Sequence, residues 1–566
     1  MKLVGKIVKN PLFWIFLLAL ILRIFRLGTF PYGFHVDEVK VGWNALSILN
    51  TGADDHGNIF SLYYNSIGDY RPTGIFYFSL PFIAILGKSI FAVRLSSALF
   101  GALSIFPIYF LARALLKDKK IGYVTSLLLA ISPWHIETSR ATSEVVISTF
   151  FAISAVYFLI RLIKTGINKY VYLTIISILL SYFLYHAIRF LAPLLFLTII
   201  AFYYKEIRKK SLKKLIFICL AATFILSLFL STTKEGRQRF DQVSIFKDID
   251  INYEIERIRS ENKDRNIITI LFDNKDVIYL RRLITEYGAY FSGDFLIGDS
   301  AKPYRYTTPG VGLLTFAEAA LLILGLVQII KGKGNLLPLL ILLIAPLPAA
   351  ITSEDVPNLH RAFLMLPSIL LIEGYGFERI INFSRKRRAI ITRVILFLLT
   401  LNSIYFLHMY LHHSQLHKPY IKNYVLDGSS YRNLGAVELA KNLESEKGNY
   451  EKIIVTNSPD NQYPWYAFFN GLNPKEFNKN IAQGQKGIVE YGNITFSNLK
   501  CPSDDSFINY HDENILVIDS PECAYESKIR DGLPIKVVNE IERPDGGKVY
   551  VFLAKTGPIP DKFLKK

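Results

Sequence analysis

The sequence predicts a polytopic α-helical membrane protein that ends in a soluble α/β domain, and three observations predict it. Of the 566 residues, 51% are hydrophobic and 14% aromatic. Apolar runs of about 15–22 residues, long enough to cross a bilayer, recur as far as Leu411 and then stop. The net charge of +18 lies largely in short basic loops between those runs. That is the positive-inside pattern of a membrane protein, and it disfavours nucleic acid as a partner. The expected division is 1–411 within the membrane and 412–566 outside it.

The first run, 11–27, follows Lys2, Lys6 and Lys9 and lacks a small-residue cleavage site, so it reads as an uncleaved span with a cytoplasmic N-terminus. The stretch 28–89 is then external. Within it, 75–86 is apolar but only about a dozen residues long, which suits a juxtamembrane helix better than a span. With 90–111 crossing, Arg113, Lys117, Lys119 and Lys120 become cytoplasmic. Crossings follow at 121–132, 145–160, 171–185, 190–204 and 215–230. A polar external segment occupies 231–310, and further spans lie at 311–330, 336–350, 362–380 and 389–411. The total is about eleven spans, with the tail outside the cell. In the tail, YEKIIVTNSP and ENILVIDSP read as strands and YRNLGAVELAKNLES as an amphipathic helix. KVVNEIERPDGGKVYVFLAK reads as a hairpin about Asp-Gly-Gly. Of three cysteines, Cys219 reads as a core residue, and pairing of Cys501 with Cys523 stays open.

The external segments collect the ionisable residues that point to chemistry. The adjacent pair Asp37-Glu38 follows the first span in an aromatic setting, with no helix-capping role evident. The same loop adds Asp69 and Arg71. Arg140 and Glu144 come from SPWHIETSRATSE, and Tyr185, His186 and Arg189 from the YHAIR junction. TSEDVPNLHR supplies His360 and Arg361. Ionisable groups near membrane depth are costly and are functional candidates by default. Plainer readings stand beside these. Arg140 and Arg189 can snorkel to headgroups, and His135 and His186 can be hydrogen-bonded structural residues. Asp54-Asp55 is a turn or a cation holder. Metal use stays open, because external carboxylates can hold a divalent cation but no ligand set stands out.

Carboxylates and arginines on the external face suit displacement at a sugar carbon whose leaving group is a lipid phosphate. Outside the cell a membrane-borne donor replaces a nucleotide sugar. A carboxylate would deprotonate the acceptor hydroxyl, and arginines would neutralise the departing phosphate.

Several stretches, in their order and spacing, resemble a known family. They are Asp37-Glu38, NTGADDHGNIFSLYYNSIGDYRPTGIFYFSLPF, FAVRLSSALFGALSIFPIYFLAR, SPWHIETSRATSE, SYFLYHAIRFLAP, GDFLIGDSAKPYRYTTPGVGLL and HRAFLMLPSILLIEGYG. The family is the bacterial dolichyl-phosphate-mannose protein mannosyltransferase-like one, glycosyltransferase family 39 of the GT-C superfamily. The resemblance implies the GT-C fold, juxtamembrane helices in the first external loop, and inverting transfer of a hexose or pentose from a polyprenyl-phosphate donor. It implies Asp37 as the general base, with Glu38 completing the pair. Asp69 falls where the aminoarabinose lipid A transferase type has Asp-Lys-Pro-Pro. Here the run is Asp69-Tyr70-Arg71-Pro72, with Arg71 in place of the lysine. Glu144 matches an acidic position of the second external loop. Arg189 and Arg361 are assigned to phosphate contact on the residues alone. The acceptor, whether protein, lipid or glycan, is not encoded legibly. A transporter or flippase of lipid-linked saccharide is the alternative, but no paired repeats or broken helices support it.

Overall fold

The structure, a computed structural model, describes residues 9–66, 69–116, 118–210, 212–261, 267–383, 387–412, 420–421, 424–425, 432–458, 460–470, 472–474, 488–526, 533–543 and 546–564. The chain divides into two compact units.

The first unit comprises Met1–Phe25, Leu62–Ile75 and Ser97–Leu411. Helix Pro11–Ile24 starts where Asn10 accepts from the Leu12 N–H and a proline occupies the first turn. Its Arg23 is fully buried and donates to the carbonyls of Ala19, Leu129 and Ala130 and to His135 Nδ1. The opening loop contributes the hairpin β1 (Tyr63–Ser66) and β2 (Asp69–Pro72). Among the described residues, four helices are long and apolar enough to cross a membrane: Ile90–Leu116, Glu144–Thr165, Lys213–Thr232 and Ala389–His412. Shorter apolar helices include Lys169–Leu184, His186–Phe202 and Phe316–Ile330. The region expected as a polar external segment is largely helical, with Lys234–Val243, Ile249–Glu261 and Lys275–Ala289. Its isoleucines recur at helical spacing, and Asn274 caps the last of these helices by accepting from Asp276 and Val277.

Helices Phe316–Ile330 and Met365–Phe383 approach closely enough to exclude side chains. A Cβ on Gly325 would lie 1.9 Å from the Ile372 carbonyl oxygen, and one on Gly376 would lie 1.9 Å from that of Leu321. Small residues at such crossings let backbones touch where lipid supplies no hydrophobic drive between helices.

The second unit comprises Arg26–Ser61, Phe76–Ser96 and His412–Lys566, so most of the opening loop is grouped with the tail. The segment expected to lie at the membrane surface is helix Gly74–Leu86, whose 13 residues span about 20 Å. That is shorter than the roughly 30 Å hydrocarbon core. In the tail, β3 (Tyr420–Ile421) pairs with β4 (Tyr424–Val425). A six-stranded sheet holds β5 (Lys452–Val455), β6 (Val489–Tyr491), β7 (Ile494–Phe496), β8 (Ile515–Asp519), β9 (Ile535–Glu542) and β10 (Lys548–Lys555) in the order β6-β7-β5-β8-β10-β9. Strands β7, β5 and β8 run parallel, and the remaining neighbours are antiparallel. Every residue of β8 is buried, as befits a parallel strand covered on both faces. The strands and helix anticipated in the tail are β5, β8, the β9–β10 hairpin and Ala436–Glu446. Cys501 and Cys523 are joined in a disulfide, and Cys219 is buried and free.

Gly376→Val should cost about 3 kcal/mol or more through overpacking. The monodisperse fraction in detergent and the thermal midpoint should both fall. Gly448→Ala, where an added Cβ meets nothing within 4 Å, should leave them unchanged.

Candidate functional site

The acidic pair begins helix Val36–Thr51. Contrary to the expectation from sequence, it does have a capping role. His35 is the N-cap, its Nδ1 accepts from the Asp37 N–H at 3.1 Å, and Glu38 Oε2 accepts from the His35 N–H at 3.2 Å. This is a capping box with histidine in the usual Ser/Thr place. The two carboxylates then diverge. Glu38 is buried and meets Arg94 in a two-pronged pair, Nε to Oε1 and Nη2 to Oε2, each 2.8 Å. Arg94 is wholly buried and also donates to the carbonyls of Leu27, Pro31 and Gly33. Asp37 stays partly exposed, its carboxylate 3.5 Å from His35 Nδ1.

Further along the same loop, Asp54, Asp55 and His56 bring one ligand atom each within 4.8 Å of one another. Their hydrogen bonds describe a turn. Asp54 Oδ1 accepts from the His56 and Asn58 N–H groups, and Asp54 Oδ2 from Asn58 Nδ2. His56 Nδ1 lies 2.6 Å from Asp55 Oδ1, and that hydrogen bond raises the imidazole above its usual pKa. An Asx-turn of this kind satisfies its own oxygens.

In the first unit a cavity of about 540 Å³ is lined by Tyr185, His186, Arg189, Arg237, Arg239 and Arg361, with Phe190, Phe240, Val243 and Ile351 among its apolar walls. The four arginines differ in commitment. Arg189 Nε and Nη2 hold the Tyr182 carbonyl at 3.1 and 2.9 Å, and Nη1 donates to the Tyr63 hydroxyl. Arg361 donates to Thr352 Oγ1, the Glu354 carbonyl and the Glu354 carboxylate. Arg239 Nη2 stands 3.9 Å from that carboxylate. Burial pushes the Glu354 carboxyl up, but Arg361, Arg239 and Arg71 together bring it below its usual range. Arg237 is exposed, and its side chain has no hydrogen bond or ion pair among the described residues. The cavity therefore gathers four arginines, with Asp241 also in its lining and Glu354 paired to Arg361 and near Arg239.

Four of the residues singled out in the sequence thus line one cavity: Tyr185, His186, Arg189 and Arg361. His186 Nε2 contacts the Tyr70 carbonyl at 3.0 Å, which fits its hydrogen-bonded reading. Glu144, the first residue of helix Glu144–Thr165, acts electrostatically on Tyr185. His360 packs against the Tyr306 ring at 3.9 Å between centroids. Arg140 is elsewhere in this unit. It closes the end of helix Pro11–Ile24 by donating to the carbonyls of Leu22 and Phe25, and its guanidinium lies over Tyr410. Buried His135, bonded to Arg23, is held well below its usual pKa by burial and by that charge. The Asp69 side chain lies outside the described residues. Arg94, Arg237 and Arg239 were not anticipated. The signal available was KEGRQRF directly after an apolar run, which places two arginines two residues apart at a span end.

Comparison with known proteins now bears on this arrangement. Residues 70–232 match the dolichyl-phosphate-mannose-protein mannosyltransferase family. Among solved structures, the chain is similar to ArnT from Cupriavidus metallidurans in the apo state, at 10% identity and a TM-score of 0.52, over 98% of both chains. It is similar to the same protein bound to undecaprenyl phosphate, at 11% identity and a TM-score of 0.51, over 97% of this chain and 98% of that one. The family match covers under a third of the chain, and the likeness to the ArnT structures is one of fold. The resemblance read from the sequence agrees with the family match over 70–232, and the expected fold agrees with that of ArnT. A weaker likeness, with a TM-score of 0.46 and 14% identity, is to the archaeal oligosaccharyltransferase AglB from Archaeoglobus fulgidus, over 95% of this chain and 73% of that one. No curated protein matches by sequence.

One pH effect follows from the Asp55–His56 contact. The folded His56 pKa is raised, so the stability it contributes is complete below about pH 6.5 and is lost as pH rises through the folded value. The thermal midpoint of His56→Gln should fall below that of the parent at pH 5.5 and converge with it at pH 9. A gap that persists unchanged at pH 9 would contradict the Asp55 pairing.

Proposed function

We propose that the chain transfers a sugar from a polyprenyl-phosphate donor to an acceptor hydroxyl on the external face of the membrane, with inversion. Asp37 acts as general base. The observation that carries this reading is the cavity in which Arg189, Arg237, Arg239 and Arg361 stand against the apolar side chains of Phe190, Phe240 and Val243. A lipid phosphate needs both at once, a cationic seat for its head and a greasy wall for its chain. The likeness in fold to a protein solved with undecaprenyl phosphate supports the choice of lipid.

In this mechanism the acceptor oxygen attacks the anomeric carbon on the face opposite the phosphate. The anomeric C–O bond to phosphate breaks as the new glycosidic bond forms. The acceptor proton passes to the Asp37 carboxylate, and the polyprenyl phosphate departs with the bonding pair. The guanidinium groups of Arg237 and Arg239 in the cavity would neutralise charge on the departing phosphate. Glu38, bound in both oxygens by Arg94, is a structural partner of the base rather than a second proton acceptor. The topology that goes with this reading has about eleven spans in 1–411, juxtamembrane helices within 28–89, and the tail 412–566 outside.

Mass spectrometry of cell-surface glycans and lipid-linked sugars, with and without the protein, should reveal the product. Asp37→Asn should lower transfer by about 10²–10⁴-fold while binding of undecaprenyl phosphate persists. Full transfer by that variant would rule Asp37 out as the base. Arg237→Met and Arg239→Met should each weaken undecaprenyl-phosphate binding by about tenfold or more, measured by titration in nanodiscs. Unchanged affinity in both would remove the phosphate from this cavity.

A further inference from the structure

Within the second unit, the helix that carries Asp37 is gripped by the tail, far away in sequence. Val36 N–H, one of the orphan donors at the helix start, donates to Asn433 Oδ1 at 3.0 Å, across 397 residues. Asn433 Nδ2 in turn donates to Asp460 Oδ2 at 2.8 Å. Both partners have a single role, since an amide N–H only donates and a carboxylate only accepts. The orientation of the Asn433 amide is therefore fixed. A second grip lies two residues before Val36: Trp465 Nε1 donates to the Phe34 carbonyl at 2.8 Å, across 431 residues. Both Asn433 and Trp465 are almost completely buried.

The backbone is adapted to this contact on both sides. Asn433 holds φ +51, in the left-handed region that few side chains other than asparagine tolerate. Gly33, at φ +78, sits so close to the tail that a Cβ there would lie 2.4 Å from the Arg432 carbonyl oxygen. Unusual conformations of this kind persist only where the surroundings over-determine them. The sheet gains nothing evident from holding a loop residue this way, whereas the first turn of the Asp37 helix gains a fixed end.

We propose that Asn433 and Trp465 are positioning residues for the Asp37 carboxylate, so that the tail sets the geometry of the base. This rests on the reading of Asp37 as base. Neither residue touches the substrate. They hold the chain before and at the first helical residue, and Asp37 is the second. Loss of either grip lets that turn fray, and misplacement by about 1 Å costs transfer as much as 10²-fold.

The test uses the full chain. Hydrogen exchange of residues 34–39 is measured in nanodiscs, and sugar transfer is scored by mass spectrometry in cells lacking the native protein. Asn433→Gly keeps the left-handed backbone but removes the amide. Trp465→Phe keeps an aromatic ring but removes the donor. Each should speed exchange at 34–39 by about fivefold or more, as the loss of a helix cap does, and lower transfer on the order of tenfold. The exchange N433D with D460N keeps an acceptor at 433 and a donor at 460, and should restore both readings. Unchanged exchange at 34–39 in both single variants overturns the proposal, as does faster exchange with full transfer. Should Asp37→Asn itself retain transfer, the base reading fails, and the exchange result still reports on the grip by itself.

Discussion

Arg94 is the constraint on which the second unit's candidate chemistry depends. A guanidinium carries five N–H donors in a fixed fork, and here they reach both oxygens of Glu38 and the carbonyls of Leu27, Pro31 and Gly33. A buried ion pair survives only when such secondary hydrogen bonds are complete. Otherwise the desolvation of two charges outweighs their attraction. Here the pair is complete, and its partners belong to the segment that leads into the Asp37 helix. The bond to Glu38 spans 56 residues, so it ties helix Ile90–Leu103 to the loop after the first apolar run. Lysine would keep the charge but not the fork, and would leave carbonyls without donors.

This explains why two adjacent carboxylates behave differently. Successive residues of a helix point about 100° apart, so Asp37 and Glu38 cannot share one environment. One turns inward to Arg94, while the other stays near solvent beside His35. The sequence displayed the pair but not this division of labour. An arginine inside FAVRLSSALF reads as a residue in an apolar run, because nothing local says that its partner lies in another segment. The capping role was missed for a related reason, since histidine is an uncommon N-cap and the capping box is sought as Ser or Thr. What was legible was periodic or compositional: the apolar runs, the β9–β10 hairpin, strands β5 and β8, and helix Ala436–Glu446. The arginine-bearing cavity was half legible. Arg189 and Arg361 stood at span ends and were found, whereas Arg237 and Arg239 sat in a stretch dismissed as polar.

Within that cavity the arginines form a graded set. Arg189 spends its donors on Tyr182 and Tyr63, and so fixes the wall. Arg361 is bound to Glu354, whose carboxylate also stands 3.9 Å from Arg239. Arg237 keeps its donors for whatever enters. On the proposed reading, arginines already held by neighbours would limit the reorganisation needed when a phosphate arrives. The neighbouring phenylalanines and aliphatic residues lower the local dielectric and strengthen each of these interactions.

The tail enters this scheme by a route that motif spacing cannot detect. It contains no catalytic pattern, and a reading confined to short-range spacing makes it a separate appendage. Yet the contact at Asn433 closes a loop of 397 residues. Closure entropy grows only logarithmically with loop length, so a partner that distant costs little more than one a hundred residues away. Glu38 held through Arg94 and Val36 held through Asn433 are independent restraints on the same first turn. One helix turn restrained at the residues on either side of Asp37 has few remaining ways to tilt. The role proposed above for Asp37, a base that meets a hydroxyl in a narrow range of approach, would need that restraint. The fold therefore supplies from two remote segments the precision that the eight residues between Leu27 and Val36 could not supply alone.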